Sequence, residues 1–392
     1  IEDMGFAALN IAVGWHQSPV PTVISQIPEG HWSYLAEGIK KTVRVPVIST
    51  YRITSPAIAE KVLAEGKADM IGMARGLIAD PDLPNLAREG RLEDIRPCIA
   101  CCLCLDQIFR LEEVRCSVNP KLGREKEAEL EEAPVKKRIL IIGGGPAGME
   151  AARVAALRGH KVKLFEKDKE LGGQLISAAI PPFKSDITRL TEYFTAQLKK
   201  LDVEIRLGVE AGVDLITRES PDEVVLATGA TPNMPDIRGI NSRNVFNPVE
   251  VLTGKREIKV ESVVVVGGGF IGCETADYLA SRGKKVIITS RQDKVGHDVG
   301  ISNRWTLLTR LKKNGVRMEP GFTLIEITSP GVKGLKDGKE VFLESAAVVV
   351  SAALFNSLKI FKKQIEDLKT VIVGIGAAGV ATTRMLMDAG MR

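Results

Sequence analysis

Short apolar runs alternate with amphipathic stretches through the first 96 residues. Ala8–Val13, Val45–Ser49 and Ala68–Met73 each read as a strand, and Tyr34–Lys41 spaces its apolar residues as a helix does. Ser55-Pro56 offers a cap and a first-turn proline, which predicts a helix running to Glu65 and ended by Gly66. Strands and helices in this alternation imply parallel strands in an α/β layer or barrel.

The pattern changes at Arg138. A continuous apolar run, Ile139-Leu140-Ile141-Ile142, enters a glycine-rich turn at Gly143. A similar passage returns at Val263–Gly269 and a third at Thr370–Gly379, so one strand–turn–helix unit occurs three times. Between the two regimes, residues 121–137 are rich in Lys and Glu and poor in bulky apolar residues. They read as a surface linker or an exposed short helix.

Composition narrows the function classes. With 392 residues the chain has room for two to four domains. Its net charge of +5 is small for that length and scattered, so neither nucleic acid nor a membrane surface is an expected partner. No stretch of 18 uncharged apolar residues occurs, and Ile1-Glu2-Asp3-Met4 does not open a signal peptide. The expectation is a cytoplasmic enzyme whose first residues lie inside an element of a longer parent.

The first glycine turn, Gly143-Gly144-Gly145-Pro146-Ala147-Gly148, is a G-x-G-x-x-G between a strand and a helix. Gly143 permits the turn, Gly145 lets backbone approach a pyrophosphate, and Gly148 lets the helix pack on the strand. The helix start then presents N–H groups to phosphate, and Glu166, at the end of the next strand, can bind a ribose hydroxyl pair. The alternative is a turn that only packs a helix. The second turn, Gly267-Gly268-Gly269-Phe270-Ile271-Gly272, repeats the pattern, but its second strand ends in Ser290-Arg291. Arg291 can pair with a 2′-phosphate, which favours NADPH over NADH; it is equally well read as a solvated surface charge. Two dinucleotide sites suggest transfer between a nicotinamide and a flavin.

Five of the six cysteines fall between Cys98 and Cys116. The spacing Cys98-x2-Cys101-x2-Cys104-x11-Cys116, with Cys102 in addition, suits a [4Fe–4S] cluster. A zinc site of four cysteines is the main competitor, although zinc sites more often pair two C-x2-C units across a longer gap.

These features, in this order, resemble the 2,4-dienoyl-CoA reductase and 2-enoate reductase family, related to trimethylamine dehydrogenase. The resemblance spans residues 5–352. It is carried by Val13-Gly14-Trp15-His16, Gly72-Met73-Ala74-Arg75, Ala79-Asp80-Pro81-Asp82, Arg96-Pro97-Cys98-Ile99-Ala100-Cys101, Ser117-Val118-Asn119-Pro120 and both glycine turns. It implies a partial FMN-type (β/α)8 barrel over 1–96, a [4Fe–4S] segment and linker over 97–133, a Rossmann-like FAD-binding domain over 134–256 and an NAD(P)-binding domain over 257–352. It implies that Ala74 and Arg75, with Thr50 and Arg52, serve the FMN phosphate and that His16 assists substrate protonation. It also implies that Cys98, Cys101, Cys104 and Cys116 hold the cluster. Pro146, Ala147, Gly173, Gln174, Thr228 and Gly229 join the FAD site, and Gly267, Gly269, Ile271, Gly272 and Arg291 the nicotinamide site. The implied reaction takes a hydride from NADPH (or NADH) to FAD and single electrons across the cluster to FMN. A hydride then passes to an alkene conjugated with a thioester, such as an unsaturated acyl thioester, with protonation of the neighbouring carbon.

The chain departs from the family after residue 352. Residues 353–392 carry Ile365-Glu366-Asp367-Leu368 and the third turn, Gly374-Ile375-Gly376-Ala377-Ala378-Gly379, which look like the opening of a malic enzyme NAD domain. This leads to the expectation of a chimeric tail that packs loosely or replaces the missing FAD-domain strand. Two other readings stay open: an amine dehydrogenase-like flavoprotein, to which the C-x2-C-x2-C spacing is closer, and an inactive truncated or chimeric remnant.

Overall fold

The N-terminal alternation becomes three short parallel strands, β1 (Leu9–Ile11), β2 (Val47–Ser49) and β3 (Met70–Ile71), hydrogen-bonded in that order. They are separated by α1 (Ser33–Lys40) and α2 (Pro56–Ala64), the latter with its proline in the first turn. This is a computed structural model, and it describes residues 4–14, 21–126, 128–232, 234–351, 354–356 and 370–372. The strands are shorter than the apolar runs because their ends bend into loops: Tyr51 and Arg52, just past β2, both take left-handed backbone (φ 68° and 53°). Val47, Ala36, Val62 and Ala68 close the core between strands and helices. Helices α3 (Arg75–Ala79), α4 (Leu83–Arg88) and α5 (Leu103–Phe109) follow; Cys98, Cys101 and Cys102 precede α5, Cys104 lies on it and Cys116 follows it.

Contacts divide the chain into two units. The first gathers residues 1–129 with two excursions from later sequence, 183–193 and 300–306. One network in this unit explains the first excursion. Arg52 is almost fully buried, donates from Nε to the Ile27 carbonyl at 2.7 Å, and pairs with Asp186 at 3.0 Å. Asp186 also pairs with Arg189, which reaches Glu29 at 3.2 Å. A guanidinium this deep needs such a partner, because an isolated buried charge is costly.

The second unit contains two parallel sheets. In the first, β4 (Arg138–Ile142), β5 (Lys161–Glu166), β6 (Glu204–Leu207) and β7 (Glu223–Leu226) take the order β7-β4-β5-β6. Helices α6 (Pro146–Leu157), α7 (Gln174–Ala178), α8 (Thr188–Lys200) and α9 (Val213–Glu219) connect them, and the short β8 (Ala230–Pro232) and β9 (Val245–Phe246) follow. The capping box of α10 (Pro248–Leu252), in which Asn247 and Glu250 satisfy each other's backbone N–H, leads into the second sheet.

That sheet has the order β12-β11-β10-β16-β9, built from β10 (Ser262–Val266), β11 (Lys285–Ser290), β12 (Arg317–Pro320) and β16 (Ala347–Val350) with β9. Helices α11 (Phe270–Ser281) and α12 (Ile301–Lys313) serve it, and β13 (Phe322–Thr328), β14 (Gly331–Lys336) and β15 (Lys339–Glu344) form an antiparallel sheet before β16. The central strands read as unbroken Val and Ile because both faces are covered: Val263, Val264 and Val265 are almost completely buried.

The described residues of 121–137 carry no helix before the linker enters β4. Beyond residue 352, β17 (Leu354–Asn356) pairs antiparallel with β8, and β18 (Thr370–Ile372) adds parallel to β7 as the fifth strand of the first sheet. The third glycine turn, Gly374–Gly379, lies outside the described residues.

Candidate functional site

The two glycine turns of the second unit match each other closely. Gly143 and Gly267 have φ of 109° and 108°, and a Cβ on either would strike a carbonyl of the neighbouring strand end, Ala227 O at 2.2 Å and Ser351 O at 2.4 Å. A Cβ on Gly148 or Gly272 would stand 1.8 Å from the carbonyl oxygen of Gly143 or Gly267, so both helices lie on their turns as only glycine allows. Gly145 differs. Its Cβ would meet nothing nearer than Gly173 Cα at 4.0 Å, so packing does not require glycine there. Space left open in front of a helix start is what a pyrophosphate would fill. Gly173, at φ 52°, brings its backbone to the same spot, Gln174 Nε2 donates to Ala230 O at 3.1 Å, and Gly229 takes φ 71° where β7 ends.

The acid of the first turn is in place. Glu166 is buried, and its carboxylate accepts from Gly144 N at 2.5 Å and Asp168 N at 2.8 Å. In the second turn Ser290 stands where Glu166 stands in the first: a Cβ on Gly268 would meet Ser290 Cβ at 2.6 Å, as one on Gly144 would meet Glu166 Cβ at 3.1 Å. The charge of the acid is therefore missing, and the next residue, Arg291, is exposed. The exposed Asp298 carboxylate lies 2.9 Å from the Cβ position of Gly269. An incoming pyrophosphate requires that flexible side chain to turn into solvent.

In the first unit, Cys98, Cys101, Cys102, Cys104 and Cys116 line one small pocket with Arg75, Ile78, Ile99, Ser117 and Val118. All are free thiols. Cys101 Sγ lies 3.2 Å from Ser117 Oγ, which joins the two arms of the loop, and Arg96 Nη1 donates to Val118 O at 2.5 Å across the same gap. Burial pushes the Cys102 thiol up to about 12 and the Cys104 thiol up to about 11, and it raises Cys98 and Cys116 as well. The Arg75 cation opposes this at Cys98, Cys102 and Cys104. Thiols placed this way give up protons readily only to a positive partner. Among the described residues no three His, Cys, Asp or Glu side chains converge tightly enough on one point to hold a single ion.

Residues 137–366 match the family described as pyridine nucleotide-disulphide oxidoreductase. The chain belongs to this family. Residues 7–94 match a second description, the NADH:flavin oxidoreductase / NADH oxidase family. An NADH oxidase of Thermoanaerobacter brockii is 41% identical over 96% of the chain and 59% of its own length. A cinnamate reductase of Clostridium sporogenes is 36% identical over 92% of the chain and 54% of its own. A solved 2-naphthoyl-CoA reductase superposes with a TM-score of 0.90 at 34% identity, over 98% of the chain and 57% of its own. The chain thus spans less than three fifths of each relative. These matches bear out the resemblance to the 2-enoate and dienoyl-CoA reductase group, and with it the (β/α)8-fragment and Rossmann-like fold class.

In this member of the pyridine nucleotide-disulphide oxidoreductase family the flavin-phosphate residues expected from the motifs are largely engaged elsewhere. Thr50 Oγ1 donates to Ile11 O at 2.7 Å, Arg52 serves Ile27 and Asp186, and the Arg75 side chain turns to the cysteine pocket. Ala74 and Arg75 open α3 with no side-chain cap. His16 lies outside the described residues. The sequence also hid residues that fix the oxidoreductase's cysteine loop. Buried Asp106 on α5 accepts from Ser302 N at 2.8 Å, and Asn303 Nδ2 donates to Cys101 O at 3.1 Å. The one signal for Asp106 was an acid beside Gln107 inside the mostly apolar run Leu103–Phe109. Among the described residues no helix is long and apolar enough to cross a membrane.

Proposed function

We propose that the chain is the electron-input part of an alkene reductase, taking electrons from NADPH (or NADH) and sending them through FAD and a [4Fe–4S] cluster toward FMN and an electron-poor alkene such as an unsaturated acyl thioester. The observation that carries the reading is the shared pocket of five free thiols in a chain that also carries a flavoprotein-type dinucleotide fold. In this reading residues 1–96 belong to the FMN barrel, 97–133 to the cluster segment, 134–256 to FAD and 257–352 to the nicotinamide. The enzyme is expected in the cytoplasm.

The residues fit the groups. The open space before Gly145 and the engaged Glu166 suit a dinucleotide with its ribose on the acid. A lone zinc ion would draw four sulfurs to within about 3.8 Å of one another, from a tetrahedron with bonds of about 2.3 Å. A cubane spreads its thiolates over four iron corners, and three cysteines on a C-x2-C-x2-C stretch with a fourth on the returning arm line one pocket from which to reach them. Once bound, the flavins and the cluster supply hydride transfer and the conversion of a two-electron input into single-electron steps. The chain's own part is to bind and orient. Gly143, Gly145, Pro146, Ala147 and Gly148 offer backbone to the FAD pyrophosphate, with Gly173, Gln174, Thr228 and Gly229 opposite. Gly267, Gly269, Ile271 and Gly272 do the same for the nicotinamide dinucleotide. With the Arg75 side chain turned to the cysteine pocket, Ala74 and Arg75 have backbone N–H groups to offer the FMN phosphate. His16 is assigned to hold a proton at the substrate.

Metal, sulfide and flavin analysis of the full chain purified without oxygen tests this directly. About four irons and four sulfides per chain, with bound FAD, are expected; zinc without sulfide would end the cluster reading. Arg291→Glu carries the nicotinamide prediction. Anaerobic flavin bleaching should favour NADPH about tenfold in the parent, the worth of one charge-assisted contact, and favour NADH in the variant. Equal use of both by the parent would make Arg291 a surface charge.

A further inference from the structure

Arg75 opens α3, just beyond β3, and its guanidinium lines the pocket shared by Cys98, Cys101, Cys102, Cys104 and Cys116. Nη1 lies 3.6 Å from the Sγ of Cys102, the one cysteine of the five that the ligand spacing leaves over. Cys102 is locked in place. It is 1% exposed, its thiol donates to Ala100 O at 3.6 Å, and its backbone is left-handed at φ 62°. Ala100 is left-handed too, at φ 50°, so two strained non-glycine residues bracket Cys101. Such conformations are unfavourable for a residue with a Cβ and persist where the surroundings over-determine them. Here they set the leftover thiol against a cation inside the metal-binding loop.

We propose that Arg75 is a positioning residue of the cluster, held there by Cys102, and that its charge raises the cluster's reduction potential. The inference rests on the [4Fe–4S] reading above. The chemistry is one electron in: the oxidised cluster with four thiolates carries two negative charges and the reduced one three, so a fixed cation favours the reduced form. Net charge and hydrogen bonding around the sulfurs are the protein's levers on such a potential. The consequence for electron flow is directional, because a cluster that accepts more readily draws electrons from the flavin fed by the nicotinamide.

The test is a dye-mediated anaerobic titration of the full chain, following the reduced cluster by electron paramagnetic resonance, with iron and flavin measured on the same samples. Arg75→Met should keep its iron and lower the one-electron reduction constant by at least tenfold, a drop of 59 mV. Arg75→Lys, which keeps a cation, should recover most of it. Cys102→Ala, which frees the guanidinium without removing it, should fall between with iron intact; if Arg75→Met does not retain a cluster, this variant decides. An unchanged midpoint in a cluster-bearing Arg75→Met overturns the proposal. So does loss of FMN at constant midpoint, which would return Arg75 to the flavin phosphate. Parent protein without iron and sulfide fails the cluster reading itself, a result distinct from a cluster whose potential ignores Arg75.

Discussion

Alanine at Gly148 is expected to remove the flavin and destabilise the chain together, whereas alanine at Gly145 removes the flavin alone. A Cβ at Gly148 would lie 1.8 Å from the Gly143 carbonyl oxygen, and 3.3 Å from Ala227 Cβ. No rotamer relieves a clash with backbone, so α6 must lift from the turn after β4. Overpacking of this kind costs about 1–3 kcal/mol and occasionally more, and the N–H groups at the helix start move with it. Charge-assisted bonds to phosphate are worth about 1.5–3 kcal/mol each, so losing one weakens FAD by roughly tenfold to a hundredfold. At Gly145 the backbone is extended, with φ at −74°, and the nearest atom is Gly173 Cα at 4.0 Å. Alanine fits the apoprotein there but fills the space assigned to the pyrophosphate. Flavin-to-protein ratio after gel filtration and the melting temperature of the apoprotein separate the cases. A Gly145→Ala protein that keeps its FAD would show that the open space serves something else.

Serine at Cys116 is expected to bring iron and sulfide from about four per chain to near zero, while serine at Cys102 leaves both in place. Cys116 is the far arm of the loop, and its neighbour Ser117 meets Cys101 at 3.2 Å. Replacing its sulfur removes the one thiolate supplied from outside the tight Cys98–Cys104 turn. Cys102 also lines the pocket, but its sulfur is occupied by Arg75 and the Ala100 carbonyl. Elemental analysis with the visible spectrum of anaerobic protein reads the result. Equal loss from both variants would mean that the ligand set includes Cys102.

The dinucleotide folds were legible because their signal is a backbone requirement. Gly143, Gly148, Gly267 and Gly272 sit where a Cβ has no room, and that constraint reaches the sequence as a fixed spacing. The cysteine segment was legible for a similar reason, since four sulfurs for one group must come from a short loop and its return. The direction of a long side chain was not. Arg75 belongs to a motif that announces a phosphate, yet its guanidinium faces sulfur. Arg52 belongs to another, yet it is matched by Asp186, a partner 134 positions away. Asn303 reaches the Cys101 carbonyl from 202 positions away. Pairings at such separations leave no periodicity to read. Beyond residue 352 the sequence pointed to a foreign unit, and the structure shows Thr370–Ile372 as an edge strand beside Val224–Leu226.

The excursions at 183–193 and 300–306 bear on how the chain is made. Residues 1–129 of the first unit leave the ribosome well before Asp186 and Asn303 do. At bacterial and eukaryotic elongation speeds of about 5–20 residues per second, the interval between residue 129 and residue 306 is on the order of ten to thirty seconds. Throughout it the nascent cysteine loop lacks its Asn303 clasp, and for part of it Arg52 lacks its counter-ion. The thiol pocket itself is lined by residues between Arg75 and Val118, so all of its walls are translated before either clasp arrives.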